Sequence, residues 1–181
     1  MKIEIEKTLE TLRAGGIILY PTDTIWGIGC DATNYEAVKR IYKIKKRNEN
    51  KSLISLAYNT VMINNFTDFK QLQIKLPESP TTIIYQNVKG LAENIISNKN
   101  TAAFRVPNDQ FCSQLINLFG SPIASTSANI SGAKPPDKFS EITEEIKDSV
   151  DYIVNLRQDE IMNIPSSIIL INEDKSVKKI R

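Results

Sequence analysis

Gly15-Gly16-Ile17-Ile18-Leu19-Tyr20-Pro21-Thr22-Asp23-Thr24-Ile25-Trp26-Gly27-Ile28-Gly29 is the stretch on which the fold turns. Ile17-Ile18-Leu19-Tyr20 reads as a buried strand, and Pro21 stops it because proline brings no N–H to a ladder. Upstream, Ile5, Leu9 and Leu12 recur at helical spacing, and Gly15-Gly16 ends that helix. Downstream, Thr33-Asn34-Tyr35-Glu36 has the form of a capping box led by a threonine. The helix behind it buries Ala37, Ile41 and Ile44, with Val38 and Tyr42 alongside. Lys45, Lys46 and Arg47 close its last turn, where cations suit the helix dipole.

The alternation continues along the chain. Leu53-Ile54-Ser55-Leu56 reads as the next strand, and residues 59–76 as mostly helical. Residues 81–85 and 101–106 read as strands, the second halted by Pro107. Phe111, Leu115 and Leu118 mark a helix starting near Asp109. Residues 122–125 form a short strand. Residues 131–139, with Gly132, Pro135 and Pro136, form a loop. Ile142, Ile146 and Val150 mark a last helix capped by Ser140, and residues 168–171 and 177–180 complete the sheet. Strands and helices interleave, which predicts an α/β class. Some strands follow each other without a helix, which predicts a mixed sheet rather than a parallel one. With no repeat, linker or low-complexity tract, residues 1–181 read as one domain.

The chain has 181 residues, of which 41% are hydrophobic and 24% charged. That is enough for a real core. A net charge of +2 is too balanced to demand a nucleic acid or a membrane surface as partner. There is no histidine, which excludes hydrolase arrangements and zinc sites that depend on imidazole. The two cysteines, Cys30 and Cys112, form no C-x-x-C pair and suit a reducing compartment as structural thiols. The longest apolar runs are about four or five residues, far short of the roughly 20 of a membrane helix. The expected location is the cytoplasm, with no membrane partner.

Neither G-x-x-x-x-G-K-[ST] nor G-x-G-x-x-G occurs, so any nucleotide is held without the common phosphate loops. Four other features carry candidate chemistry. The 20–29 stretch places hydroxyls, a carboxylate and the only tryptophan beside a strand end, where α/β sheets hold ligands; a turn capped by its own side chains explains it too. Lys45-Lys46-Arg47-Asn48-Glu49-Asn50-Lys51 offers four cations suited to phosphate, or a solvated helix end. Ser125-Thr126-Ser127-Ala128-Asn129-Ile130-Ser131-Gly132 aims hydroxyls and N–H groups at an anion, or forms a plain Ser/Thr turn. Arg105 ends an apolar strand, as an anion ligand or as a sheet-edge salt bridge.

Taken in order, the strings G-G-I-I-L-Y-P-T-D-T-I-W-G-I-G-C-D-A, I-Y-K-I-K-K-R, F-R-V-P-N and P-I-A-S-T-S-A-N-I-S-G resemble the YrdC-like family, also called TsaC. The resemblance runs from about residue 11 to residue 181. It implies a twisted α/β sheet with a concave positive cleft, and at this length a catalytic domain alone. It also implies an activity: L-threonine, bicarbonate and ATP are joined into threonylcarbamoyl-AMP with release of pyrophosphate. A tRNA-modifying partner complex then passes the threonylcarbamoyl group to tRNA. By motif, the threonine side falls to Thr24, Arg105 (for the carboxylate), Ser125 and Ser166. The ATP side falls to Lys45 and Arg47, which carry the catalytic role at the phosphates, and to Lys51, Thr101, Ser127, Asn129 and Arg181. No protein metal site is implied; magnesium would come with ATP, held by phosphate and water.

The sequence departs from the family pattern at several places. Asn48 follows Arg47 where the family has proline, and Ser52-Leu53 replaces P-L. Leu56 stands where a histidine is often found. Leu76-Pro77-Glu78-Ser79-Pro80-Thr81 lacks the Trp and Gly of W-P-G-P-x-T. Pro135 replaces a common serine, and residues 158–164 replace a glycine-rich approach to P-S-T. Leu56 in place of histidine keeps open a paralogue acting on another carboxylated amine, and the association of the YrdC-like fold with RNA keeps open a double-stranded RNA or tRNA-binding module.

Overall fold

The computed structural model describes residues 1–48, 52–67, 79–171 and 176–181. The helices are α1 (Lys2–Arg13), α2 (Tyr35–Ile44), α3 (Thr60–Asn64), α4 (Gln110–Phe119) and α5 (Glu144–Lys147). The strands are β1 (Ile18–Tyr20), β2 (Gly27–Asp31), β3 (Ile54–Leu56), β4 (Thr81–Gln86), β5 (Thr101–Arg105), β6 (Ile123–Ser127), β7 (Tyr152–Ile153), β8 (Ser167–Ile171) and β9 (Val177–Lys179). They form one sheet in the order β7-β1-β2-β6-β3-β5-β4-β8-β9. The pairs β1·β7, β3·β5 and β4·β8 are parallel and the others antiparallel. This is the mixed sheet expected.

Both faces of the sheet are covered, so successive residues of β1 and its approach are buried on opposite sides. Ile18 and Tyr20 pack with Leu56 and Ile123 under Leu9 and Leu12 of α1 and Phe111 and Leu115 of α4. Ile17 and Leu19 join Trp26, Ile28 and Phe104 under Val38 and Ile41 of α2, with Ile142 and Ile146 closing that side. Burial on both faces is why Ile17-Ile18-Leu19-Tyr20 reads as an unbroken apolar run. Among the described residues no helix is long and apolar enough to cross a membrane.

Several expectations are corrected. The cap of α2 is Asn34, whose Oδ1 accepts from the Ala37 N–H at 3.1 Å, while the Thr33 hydroxyl turns back to Asp31. Asp109 does cap α4 and left-handed Gly120 ends it, but Leu118 is exposed and Cys112 and Ile116 complete the buried face. The last helix is a 3-10 turn, Phe139–Glu141, followed by the four-residue α5; Ser140 lies inside the turn and caps nothing. In the 59–76 stretch, α3 covers five residues behind its Asn59 cap, and residues 68–78 lie outside the described residues. Two strands were not expected: β7, only two residues long, and β2, which lies between β1 and β6.

β2 escapes a propensity reading because two of its five residues are glycines. The structure requires one of them. A Cβ at Gly29 would lie 2.8 Å from the Tyr20 ring, 3.0 Å from Ile123 and 3.1 Å from the Ala124 carbonyl oxygen. Tyr20 therefore lies across β2 in the space a side chain would fill. Gly29→Ala should cost about 1–3 kcal/mol through overpacking, read as a lower Tm in a thermal melt. An unchanged Tm would mean that the Tyr20 ring has room to move aside.

Candidate active site

Residues 21–26 link β1 to β2 and fold back over the sheet. The Thr22 hydroxyl organises this turn. It donates to the Ile25 carbonyl (2.8 Å) and accepts from the Thr24 and Ile25 N–H groups (3.1 and 3.2 Å). Its one proton is then committed, so in the 2.9 Å contact between the Thr22 and Thr24 hydroxyls Thr24 is the donor. The Thr24 oxygen is left to accept from Arg105 Nη2 at 3.2 Å. Arg105 Nη1 pairs with Asp23 Oδ1, and Asp23 Oδ2 accepts from the Asn108 N–H at 3.0 Å. Arg105 is 5% exposed, and its Nε–H has no hydrogen-bond partner among the described residues. β5 lies between β3 and β4, so this is not an edge salt bridge. It is a buried charge with an unused donor.

Under this turn lies an open cavity of about 380 Å³. Thr24, Arg105, Ser125, Ser127, Ser166 and Arg181 all line it. Gly27, Ile54 and Leu56 supply further lining. Tyr20 donates its hydroxyl proton to Ser125 Oγ at 2.7 Å. Burial pushes the Tyr20 phenol well above its ordinary range, so it remains a donor. Ser125 then keeps its own proton to give. Ser166 Oγ lies 2.8 Å from the Thr82 hydroxyl, and its carbonyl accepts from Arg181 Nη2 at 2.8 Å. Arg181 is exposed, a cation at the cavity mouth.

Lys45 stands apart from the cavity lining. It is fully buried, and its ammonium donates to the Ser127 carbonyl (2.5 Å) and the Asn129 carbonyl (2.6 Å). Its own carbonyl accepts from the Ser131 N–H at 2.8 Å. One residue thus holds the loop after β6 at three points. Burial and the neighbouring Arg47 guanidinium push the Lys45 pKa down to about 7. The carbonyl oxygens around it are the partners that an ammonium satisfies. Asn129 shapes the loop from within, its amide donating to the Ile130 and Ala133 carbonyls.

Arg47 is half-buried and donates to the Ser52 carbonyl at 2.9 Å; burial draws its guanidinium below the ordinary value. Arg47 does not line the cavity. Neither does Thr101, at the far end of β5 with its hydroxyl on Ser97. Strand alternation puts Thr101 on the Arg105 face, about 13 Å along the strand. Lys51 lies outside the described residues.

The sequence reading missed several groups. Asp23 lies inside the quoted string but only its contact with Arg105 gives it a role. Tyr20 read as strand filler. Arg157 carried no signal: its Nη1 joins Asp109 Oδ2 (2.5 Å) to the Thr22 carbonyl (3.3 Å), fastening the turn to the start of α4. Cys30 and Cys112 are buried, and burial raises both thiols, keeping them protonated as structural residues.

The Lys45 geometry gives a prediction. Lys45→Met leaves two carbonyls short of a donor and should cost about 3 kcal/mol. Because the loop carries Ser127 and continues from Ser125, ligands on both sides of the cavity should weaken together in isothermal titration. Weakening on one side only would make Lys45 a direct ligand rather than a support for the loop.

Comparison with known proteins follows the same lines. The family model Sua5_yciO_yrdC, described as "Telomere recombination", matches residues 10–181. A Methanocaldococcus jannaschii protein is 32% identical over 182 residues, covering 96% of this chain and 85% of its own length. The threonylcarbamoyl-AMP synthase of Saccharophagus degradans is 35% identical over 136 residues, covering 71% of this chain and 70% of its own. The crystal structure of P. abyssi Sua5 complexed with L-threonine superposes with a TM-score of 0.82 at 24% identity, over 98% of this chain. The chain spans about half of that protein, 53% of its length.

Proposed function

The chain belongs to the Sua5–YciO–YrdC family, and we propose that it is a threonylcarbamoyl-AMP synthase. L-Threonine, bicarbonate and ATP are its substrates, and residues 1–181 act as one catalytic domain in the cytoplasm. The observation that carries this reading is the buried Arg105, whose Nε–H has no partner among the described residues, in one cavity with six hydroxyl side chains and a second arginine. Such a cavity suits an amino acid's carboxylate at one end and a phosphate chain at the other.

The roles join what the family resemblance implies to the lining of this cavity. Arg105 holds the threonine carboxylate through Nε–H, with Thr24 and Asp23 fixing the plane of the guanidinium. Ser125, its lone pair taken by Tyr20, donates to the bound amino acid. Ser127 and Arg181 face the nucleotide, and Arg47 and Lys51 add positive charge along the phosphates. Thr101, on the same sheet face, suits an extended ligand that runs along β5. The threonine amine gains the bicarbonate carbon as a carbamate, with water released. A carbamate oxygen then displaces pyrophosphate from the α-phosphorus. Donors preplaced around that phosphorus stabilise the charge that develops there, without histidine or a covalent intermediate. The one carboxylate beside Arg105, Asp23, is already paired. Magnesium accompanying ATP is therefore held by the triphosphate and water. The product passes to a tRNA-modifying partner.

The test is pyrophosphate release from ATP and bicarbonate, with and without L-threonine. Release that needs both threonine and bicarbonate is expected. No release from folded, ATP-binding protein overturns the reading in favour of a paralogue, which release with another amino acid would identify, or of an RNA-binding module, which salt-sensitive binding of double-stranded RNA would identify. Arg105→Ala should raise the KM for threonine roughly 10- to 100-fold, the value of a lost charge-assisted hydrogen bond, with a smaller change for ATP. Arg47→Ala should raise the KM for ATP and leave that for threonine. Equal effects of either variant on both substrates would contradict these assignments.

A further inference from the structure

We propose that Arg157 is a positioning residue for the amino-acid end of the cavity, its guanidinium holding the 21–26 turn where Asp23 and Thr24 orient Arg105; this rests on the synthase reading. Arg157 does not line the cavity, so it acts through other residues. Its backbone stands in the left-handed region, at a φ of 55°, which residues other than glycine seldom adopt. Such a conformation persists only where the surroundings over-determine it. Here the side chain does so. Its Nε–H donates to Glu160 at 2.7 Å, and the two protons of Nη1 go to Asp109 Oδ2 at 2.5 Å and to the Thr22 carbonyl at 3.3 Å. The Asp109 side chain is only 9% exposed, so its charge needs this partner. Its other oxygen accepts from the Cys112 N–H at 2.7 Å and caps α4. One guanidinium therefore joins the turn, the helix cap and its own loop.

The bonds around the turn show what this joint controls. Thr22 fixes Thr24 through its hydroxyl, and Thr24 and Asp23 together hold Arg105. Asp23 is tied directly to the Asn108 N–H, and Thr22 is tied through Arg157 to Asp109. Two successive residues of the turn thus rest on two successive residues before α4. Without Arg157 the turn keeps only the Asn108 tie on that side and can pivot about it. A pivot there moves the partners of Arg105, and hydrogen bonds weaken steeply with misalignment. The nucleotide end is held by other means. Ser127 is fixed by its pairing with β2 and by Lys45. Beyond Arg157 the chain is anchored afresh at Met162, which is buried and whose N–H donates to the Asp137 carbonyl at 2.7 Å, before it reaches Ser166 and its bond from Arg181. The effect of Arg157 therefore falls on the amino acid and spares ATP.

The experiment measures kcat and the KM for L-threonine and for ATP in pyrophosphate release, and threonine binding by isothermal titration, on the whole chain. Arg157→Gly removes the joint and leaves a residue at ease with positive φ. It should weaken threonine about tenfold in both KM and Kd, the value of a lost charge-assisted hydrogen bond. Its kcat and its KM for ATP should stay within about twofold of the wild type. Arg157→Lys keeps the charge but has one nitrogen in place of the fork, so it cannot serve Glu160, Asp109 and Thr22 together, and it should weaken threonine by about threefold. Trp26, buried against Phe139 at 5.1 Å between ring centroids, reports by its emission whether each variant is folded. Unchanged threonine constants in folded Arg157→Gly overturn the proposal, even with a lowered Tm, because Arg157 is then a stabilising contact alone. An equal rise for threonine and ATP overturns it too. If Arg157→Gly does not fold, Arg157→Lys decides on the same terms. Weakened threonine binding in the variants, with no pyrophosphate release from the wild type, would uphold the positioning role and overturn the synthase reading. Threonine-dependent release by the wild type with unchanged constants in the variants would do the reverse.

Discussion

The buried guanidinium of Arg105 is the constraint around which the site is built. A charge taken out of water is tolerated only when it is paired and hydrogen-bonded. Asp23 and Thr24 supply that pairing, and both lie in the 21–26 turn. The turn therefore cannot swing freely over the sheet. Thr22 knits it internally, the Asn108 N–H ties Asp23 to the loop before α4, and Arg157 ties the Thr22 carbonyl to Asp109. The contacts that compensate the buried charge are the same ones that make the roof of the cavity.

A second support holds the cavity floor. Gly29 admits the Tyr20 ring across β2, and Tyr20 orients Ser125. Lys45 then fixes the chain beyond Ser127 through the Ser127 and Asn129 carbonyls. The Ala128 N–H donates to the Trp26 carbonyl at 3.0 Å, joining this loop to the end of the 21–26 turn. The two signature strings, about a hundred residues apart in sequence, are thus one bonded unit. Removing any single element disturbs donors on both sides of the cavity.

Much of this was legible in the sequence, for physical reasons that differ by residue. Burial on both faces leaves an unbroken apolar run, so β1 could be read directly; Asp109 and Gly120 are strong helix boundaries, so α4 could be read too. β2 could not, because its glycines serve a neighbour's ring rather than their own strand propensity. In the site, the residue types of P-T-D-T and S-T-S-A-N suggested anion binding, and resemblance to a family supplied the roles. Six of the named positions do meet in one cavity. The sequence could not show that Lys45 is buried and bonded to the 127–131 loop, because its partners lie more than eighty residues away and are backbone groups. Arg157 was invisible for a related reason, since its partners lie far away in sequence and on separate loops.

The arrangement also bears on how a site without histidine would join three substrates. Ser125 and Ser127 are two residues apart on β6, so they share a face with about 7 Å between them. Both line the cavity. β6 is held on both edges, by β2 through five register pairs and by β3 through three. The spacing between these two hydroxyls is therefore set by a strand in the middle of the sheet rather than by a hinge. Joining an amine, a one-carbon unit and an α-phosphorus is helped by holding their reacting atoms within contact distance, because part of the barrier to such a reaction is the loss of freedom in bringing them together. A rigid strand that presents two hydroxyls at a fixed separation bears that cost during folding. Position and charge are what serine, arginine and backbone donors at such a site can supply.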